Sequence, residues 1–310
     1  MTPQPIVVVG SVNADLHLTV PHLPAAGETV LASGRTLSGG GKGANQALQV
    51  ARLGHPVEFV ARVGDDPEGT AMLDALRAEG ISTTHVRPVP GAATGHAVVT
   101  SADGGENSIV VVPGANHRWH RLDLSDIDAA LGGAALLLLQ LEIPLSVVRH
   151  ALASARRAGV PVLLNVAPAT TLPDSLWRGV DYLVANRVEA AHLSGVRVAG
   201  RASAGRAAKM LALDGPSSVI ITLGADGGVV AGRDGSSATF ASWPAATVDS
   251  TAAGDAFCGA LAVAFVEGMQ VGDAVAFAAR AGALATTRRG AQAALPTRRR
   301  IAALAAAPTR

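Results

Sequence analysis

Short apolar runs alternate along the chain with longer stretches of helical periodicity. The runs are Ile6–Val9, Val57–Ala61, Leu136–Leu141, Val162–Asn165, Tyr182–Ala185 and Val219–Thr222. Being continuous rather than alternating, they predict strands covered on both faces, hence a largely parallel sheet. Between them lie helical stretches at Ala44–Leu53, Thr70–Glu79, Ser146–Ala158, Ala202–Leu213, Asp255–Glu267 and Ala274–Arg288. Gly54, Gly80 and Gly159 stand where helix C-caps belong, because glycine adopts the left-handed conformation that ends a helix. The pattern predicts an α/β fold: a three-layer α/β/α, doubly wound, mostly parallel sheet.

Four stretches alternate polar with apolar instead: Asp15–Val20, Thr29–Thr36, Gly95–Ser101 and Ser108–Pro113. The last two are joined by Ala102-Asp103-Gly104-Gly105-Glu106, a hairpin signal. With no helices to cover them, these strands are expected to form a small antiparallel β lid from about residues 14–38 and 94–114. Residues 1–310 are expected to make a single domain carrying that lid.

Composition narrows the function classes. The net charge is +1, and Arg298-Arg299-Arg300 is short and free of interleaved aromatics, which argues against nucleic acid as a partner. The apolar run near the N-terminus is too short for a membrane span or a secretory leader. One cysteine, Cys258, excludes an intrachain disulfide and suits a reducing cytoplasm. Placed one turn after Asp255, it reads as a small buried filler. Nine histidines are present, but none cluster with zinc-ligand spacing; His117 and His120 lie in a loop beside Trp119.

Two stretches carry candidate chemistry. In Val248–Leu261 (VDSTAAGDAFCGAL), Ala252, Ala253 and Gly254 leave the backbone bare where a helix begins, and Asp255 follows at once. The first amides of a helix have no internal partner and, with the helix dipole, form an anion site. An acid beside such a site makes sense if it takes a proton from a substrate hydroxyl while the amides hold a transferred phosphoryl group. Equally, Asp255 is an ordinary first-turn acid and Gly254 a packing glycine. The second stretch is Leu37–Gln46 (LSGGGKGANQ), which does not satisfy the P-loop spacing. It fits Gly-x-Gly-x-x-Ala through Gly39, Gly41 and Ala44, but follows a polar strand rather than a buried one.

Together the two stretches resemble the paired signatures of the PfkB-type carbohydrate kinases. The resemblance extends through Gly10–Asp15, Pro24–Thr29, Val63–Asp66, Gln140–Glu142, Asn165–Pro168, Asn186–Glu189, Thr222–Gly224 and Thr287–Gln292. It implies Asp255 as general base and Ala252, Ala253 and Gly254 as the anion hole. It places the sugar on Asn13, Asp15, Gly41, Lys42, Gly43, Ala44, Asn45 and Glu142, with Asp255 completing the set. Glu142 also falls at the C-terminal end of a strand, where open α/β sheets bind ligands. The nucleotide is implied at Asn186, Thr222, Leu223, Gly224, Ala225, Asp226, Gly227 and Ala279, together with Gly254 and Asp255. Glu189 is implied to place Mg²⁺ through water, although Asn186 and Glu189 alone also read as a capping box. A potassium site is implied at Asp249, Thr251, Ala285, Arg288, Gly290 and Ala294; Ala294 stands where the family often has a hydroxyl.

The expected partners are ATP and D-ribose, with the 5-hydroxyl as acceptor and a homodimer formed through the lid. Other readings are a kinase of another sugar or a nucleoside, a silent sugar-binding module on the same fold, and an NAD-dependent oxidoreductase. The module requires a broken base or anion hole, and the oxidoreductase rests on Gly39, Gly41 and Ala44 alone.

Overall fold

The computed structural model describes residues 3–306 apart from Gly105, which belongs to the expected hairpin turn and lies outside the described residues. Its strands are β1 (Ile6–Val9), β2 (Asn13–Val20), β3 (Gly34–Gly40), β4 (Val57–Gly64), β5 (Ser82–Val89), β6 (His96–Ala102), β7 (Asn107–Val112), β8 (Leu136–Leu139), β9 (Val162–Asn165), β10 (Tyr182–Asn186), β11 (Ser218–Thr222), β12 (Gly228–Gly232) and β13 (Ser237–Phe240). The helices are α1 (Lys42–Arg52), α2 (Pro67–Ala78), α3 (Leu124–Leu131), α4 (Leu145–Ala158), α5 (Asp174–Trp177), α6 (Arg187–Ser194), α7 (Arg201–Leu213), α8 (Ala253–Val266), α9 (Val271–Ala285) and α10 (Arg298–Ala306).

The larger sheet has nine strands in the order β13-β12-β11-β10-β9-β8-β1-β4-β5. All neighbours from β11 to β5 pair in parallel, while β12 and β13 add an antiparallel edge. The all-apolar runs of β1 and β8 are buried throughout, because each strand serves two cores. Val7, Val9, Leu137 and Leu139 join α3, α4 and α7 in one. Ile6, Val8, Leu136 and Leu138 join α1, α8 and α9 in the other. This is the three-layer arrangement that the period of the runs predicts. From β1 the chain adds β4 and β5 on one side, then crosses to add β8 on the other. The crevice beyond the carboxyl ends of β1 and β8 is therefore the switch point of the sheet, where such folds place ligands.

The smaller sheet runs β3-β2-β6-β7. It is mixed rather than wholly antiparallel: β2 pairs antiparallel with β3, and β6 with β7, but β2 and β6 are parallel. The strand expected at Thr29–Thr36 forms instead at Gly34–Gly40. The register pairs Gly34 with Thr19, near the end of β2, so residues before 34 run past their partner. α9 ends three residues early because the hydroxyls of Thr286 and Thr287 bond back to the carbonyls of Ala283 and Leu284, at 2.8 and 2.7 Å. The pattern did not predict β5, β12, β13, α3, α5, α6 or α10. β5 is a polar edge strand containing Pro88, and the others are short.

Leu138 is fully buried in the middle of β8. Leu138→Ala is expected to lower the unfolding free energy by about 2–5 kcal/mol in a denaturant titration, through a cavity the sheet cannot close.

Candidate functional site

The site grows from the tight passage between β3 and α1. Gly41 caps α1 at φ 85°, a conformation open to glycine, and a Cβ there would stand 2.8 Å from the Asn13 amide nitrogen. A Cβ on Gly43 would stand 2.5 Å from the amide nitrogen of Ser11. The glycines thus let α1 begin directly against the loop after β1, and Ala44 N–H donates to the Ser11 carbonyl at 2.9 Å. They serve close approach rather than dinucleotide binding. β3 belongs to the smaller sheet, so the Gly39, Gly41 and Ala44 match lacks the buried strand that such a fingerprint requires.

This approach brings the expected sugar residues together. Glu142, in the loop after β8, accepts on Oε2 from Ser11 Oγ at 2.6 Å and from the Lys42 amide at 3.0 Å. Asn13 is buried, and its Oδ1 accepts from Asn116 Nδ2 at 2.8 Å, which leaves its own amide hydrogens for a ligand. Asp15 lies against Gly40, and its Oδ1 is buried without a partner. Asn45 Nδ2 donates to Asp255 Oδ2 at 2.9 Å. Asp255, at the start of α8, is only 5% exposed, and α1 and α8 pack side by side against the same sheet face.

Charge in this crevice is densely coupled. Burial, then the neighbouring Glu142, raises the Asp15 carboxyl to about 6. Burial works against a charged Lys42, yet Asp255, Glu142 and Glu189 outweigh it and hold the ammonium above its ordinary range. Burial also raises Glu189. Cys258 is fully buried, and burial pushes its thiol well above the usual range.

At the start of α8 the Ala253 amide, expected to be bare, donates to the Ser250 carbonyl at 3.2 Å. Ala252 adopts φ 58°, the one positive φ at a non-glycine position among the described residues. The Ala256 amide bonds to the Ala252 carbonyl at 2.8 Å, but the amides of Gly254 and Asp255 donate to no backbone carbonyl among the described residues. A Cβ on Gly254 would meet nothing within 4 Å, so packing does not demand glycine there. The helix starts at Ala253, earlier than expected, because the left-handed turn at Ala252 brings the chain in directly.

The expected nucleotide residues gather further along the same edge. Asn186 ends β10 and is paired in register with Thr222, which ends β11. Leu223–Gly227 form a tight turn in which the Leu223 amide bonds to the Gly227 carbonyl at 2.7 Å. Asp226 accepts from Arg187 at 3.1 Å, tying this turn to α6. Asn186 and Glu189 form a capping box: Asn186 Oδ1 accepts from the amides of Val188 and Glu189, and Glu189 Oε2 accepts from the Asn186 amide at 2.7 Å. Ala279 lies on α9.

Of the expected cation residues, Asp249, Thr251 and Gly290 meet. Asp249 accepts from the Thr251 amide and hydroxyl at 2.9 and 2.6 Å, and from the Gly290 amide at 2.8 Å. Burial opposes ionisation of Asp249, but these bonds prevail and hold its carboxyl below the usual range. Among the described residues no group donates to the carbonyls of Thr251, Ala285, Arg288, Gly290 or Ala294. A carboxylate and unpaired carbonyls are the kinds of oxygen donor that suit a hard cation. Among the described residues no cluster of His, Cys, Asp and Glu could hold a transition metal.

Sequence reasoning gave no role to Ser11, Gln46, Gln140, Asn165 or Asn116. Ser11 and Gln140 lie within two residues past an apolar strand and Asn165 ends one, and that position was the available signal. Asn116 closes on Val12 through both ends of its amide and supports Asn13. Its carbonyl accepts from Trp119 Nε1 at 2.9 Å, and the Arg62 guanidinium stacks 4.2 Å above the Trp119 ring.

The pfkB family carbohydrate kinase pattern matches residues 4–298. The chain is 40% identical to a ribokinase of Haemophilus influenzae over 94% of its length and 95% of that protein's. It is 34% identical to a deoxyribokinase of Salmonella typhi over 94% of its length and 95% of that protein's. The solved structure of an Arabidopsis thaliana ribokinase complexed with ribose and ATP superposes with a TM-score of 0.90 at 36% identity, covering 98% of this chain and 99% of that one. With the switch-point crevice, the bare helix start and its acid all in place, the chain belongs to the pfkB family of carbohydrate kinases.

Proposed function

We propose that the chain transfers the γ-phosphoryl group of ATP to the 5-hydroxyl of D-ribose, giving ribose 5-phosphate and ADP. The observation that carries this reading is the meeting of Asp255, Asn45 and unpaired α8 amides in one crevice beside Glu142 and Lys42. Ribose lies between Asn13, Asp15, Gly41, Lys42, Gly43, Ala44, Asn45, Glu142 and Asp255. Carboxylates and amides pair with adjacent hydroxyls, and a site built for a hydroxyl rejects a ligand that lacks it. The nucleotide follows the strand ends from Asn186 to Thr222, Leu223, Gly224, Ala225, Asp226 and Gly227, with Ala279 on its far side. Asp255 takes the hydroxyl proton as the sugar oxygen attacks phosphorus in line, and the anion hole of Ala252, Ala253 and Gly254 meets the developing charge, with the unpaired Gly254 amide its free donor. The protonated Lys42 adds fixed positive charge to that space.

Glu189 would hold Mg²⁺ through water, and Asp249 with the carbonyls of Thr251, Ala285, Arg288, Gly290 and Ala294 would hold K⁺. The first ion supplies charge neutralisation on the phosphates; the second orders the loop leading into Ala252. With alanine at 294, that residue offers its carbonyl alone. The smaller sheet acts as a lid that excludes water from the reaction. Its edge strand β7 exposes Ile109, Val110, Val111 and Val112 by about half each, along with Leu37 of β3, a surface suited to pairing with a second copy in a homodimer. No helix among the described residues is long and apolar enough to cross a membrane, and a cytoplasmic place accords with this reading.

Three outcomes test the proposal. Asp255→Asn is expected to fold normally and to lose ADP formation by about three to five orders of magnitude; near-normal turnover rejects Asp255 as the base. In a panel of ribose, deoxyribose, other sugars and nucleosides, ribose is expected to give the highest kcat/KM, rising on addition of potassium. A preference for deoxyribose moves the assignment to that sugar. The third outcome concerns pH. The Asp15 carboxyl titrates near 6 when folded and at its lower ordinary value when unfolded, so its ionisation costs stability as pH rises through that window. Asp15→Asn is therefore expected to stabilise the unliganded chain at pH 7 by about 1–3 kcal/mol, to show no gain below about pH 4, and to weaken ribose binding. Unfolding titrations across that range and ribose calorimetry check both effects.

A further inference from the structure

Behind Asp255 lies a set of amide side chains that the proposed reaction leaves without a role. Gln46 and Gln140 are fully buried, and Asn165 nearly so. Buried amides are costly unless bonded, so the direction of their bonds is informative. Asn165 donates from Nδ2 to the Val184 carbonyl at 3.3 Å, which turns its Oδ1 toward Gln46. Gln46 Nε2 donates to that Oδ1 at 3.1 Å and to Asp255 Oδ1 at 3.0 Å. Gln140 Nε2 donates into Gln46 Oε1 at 2.7 Å. Were the Gln46 amide reversed, its oxygen would face the oxygens of Asn165 and Asp255, and its NH₂ would face that of Gln140. Only one orientation bonds the Gln46 amide at both its oxygen and its nitrogen, while Gln140 Oε1 stays without a partner. Gly10 leaves room for Gln140, because a Cβ there would meet Gln140 Oε1.

We propose that Gln46, locked by Gln140 and Asn165, is a positioning residue for Asp255. With Asn45 on Oδ2 and Gln46 on Oδ1, the carboxylate is held at both oxygens, which opposes its rotation. Two fixed donors on one carboxyl set its orientation toward the hydroxyl it would act on. The inference rests on Asp255 being the base. The other ionisable groups around Asp255 are Lys42 on α1, Asp15 on β2, Glu142 after β8, Glu189 on α6 and Cys258 on α8. They are the same in wild type and variants, so a difference between the proteins reports the amide.

The test compares full-length wild type with Gln46→Leu, Gln140→Leu and Asp255→Asn. Ribose phosphorylation is followed from about pH 5 to about pH 9, and ribose affinity is measured by calorimetry. Gln46→Leu is expected to move the acid limb of kcat upward by about one pH unit and to lower kcat by about tenfold to a hundredfold. Ribose affinity, held by other residues, is expected to change by less than about threefold. Gln140→Leu keeps the donor but frees it to turn, so a smaller shift in the same direction is expected. A purely structural Gln46 would lower the melting temperature and leave the acid limb in place, which overturns the proposal. Should Gln46→Leu fail to fold, an unmoved acid limb in folded Gln140→Leu overturns it as well. Asp255→Asn separates the two levels: if it is silent while the limb stays put in both glutamine variants, only the role of Gln46 falls, and if it is active, the base assignment falls first.

Discussion

A single buried carboxylate ties this molecule together. Asp255 opens a helix near the end of the chain, yet its oxygens are held by Asn45 and Gln46 from a helix near the beginning. A carboxyl group so thoroughly removed from water is tolerated only when donors meet it. The pairing therefore constrains both helices at once. α1 must begin hard against the loop after β1, which the glycines before it permit, and α8 must begin with its amides facing the same space. Asn45 on α1 and the start of α8 thus share a frame, and the distance between them is set by packing on the sheet.

The crevice is also braced from its other side. Asp126 accepts from Arg87 and Arg62, and this pairing, led by the Arg87 bonds, holds its carboxyl down to about 2. Arg62, buried there, stacks on Trp119; Trp119 bonds to Asn116, and Asn116 fixes Asn13. Asp66 does similar work at the base of the smaller sheet. It caps α2 through the Gly69 amide and also accepts from the Thr94 amide at 2.7 Å, where the chain turns toward β6. Bonded polar networks of this kind rigidify the fold and specify one arrangement of it.

Much of the larger sheet was readable in the hydrophobic pattern because its strands serve two cores and so are apolar throughout. The same logic hid β5: as an edge strand, it carries the polar residues and the proline of a loop. The smaller sheet was visible as alternation, but its pairing was not. Nothing local distinguishes the parallel match of β2 with β6 from an antiparallel one, and the end of β2, not the composition of residues 29–33, decides where β3 starts. At the site, Asp255 and the bare start of α8 could be reasoned from helix physics, and the sugar residues came through family resemblance. Gln46, Gln140 and Asn116 escaped because their value lies in contacts across the fold. A buried amide has no signature until its partners are known.

Cys258 sits on α8 one turn inside Asp255, wholly enclosed by the core beneath it. It is the only sulfhydryl in the chain. Peroxide, disulfide exchange and alkylating reagents all require an accessible thiolate, and this one is both shielded and held protonated. The catalyst is thereby insulated from the oxidative damage that silences many enzymes whose cysteines border their reaction centres. Through this residue, at least, its output responds to supplies of sugar and nucleotide rather than to the redox state around it.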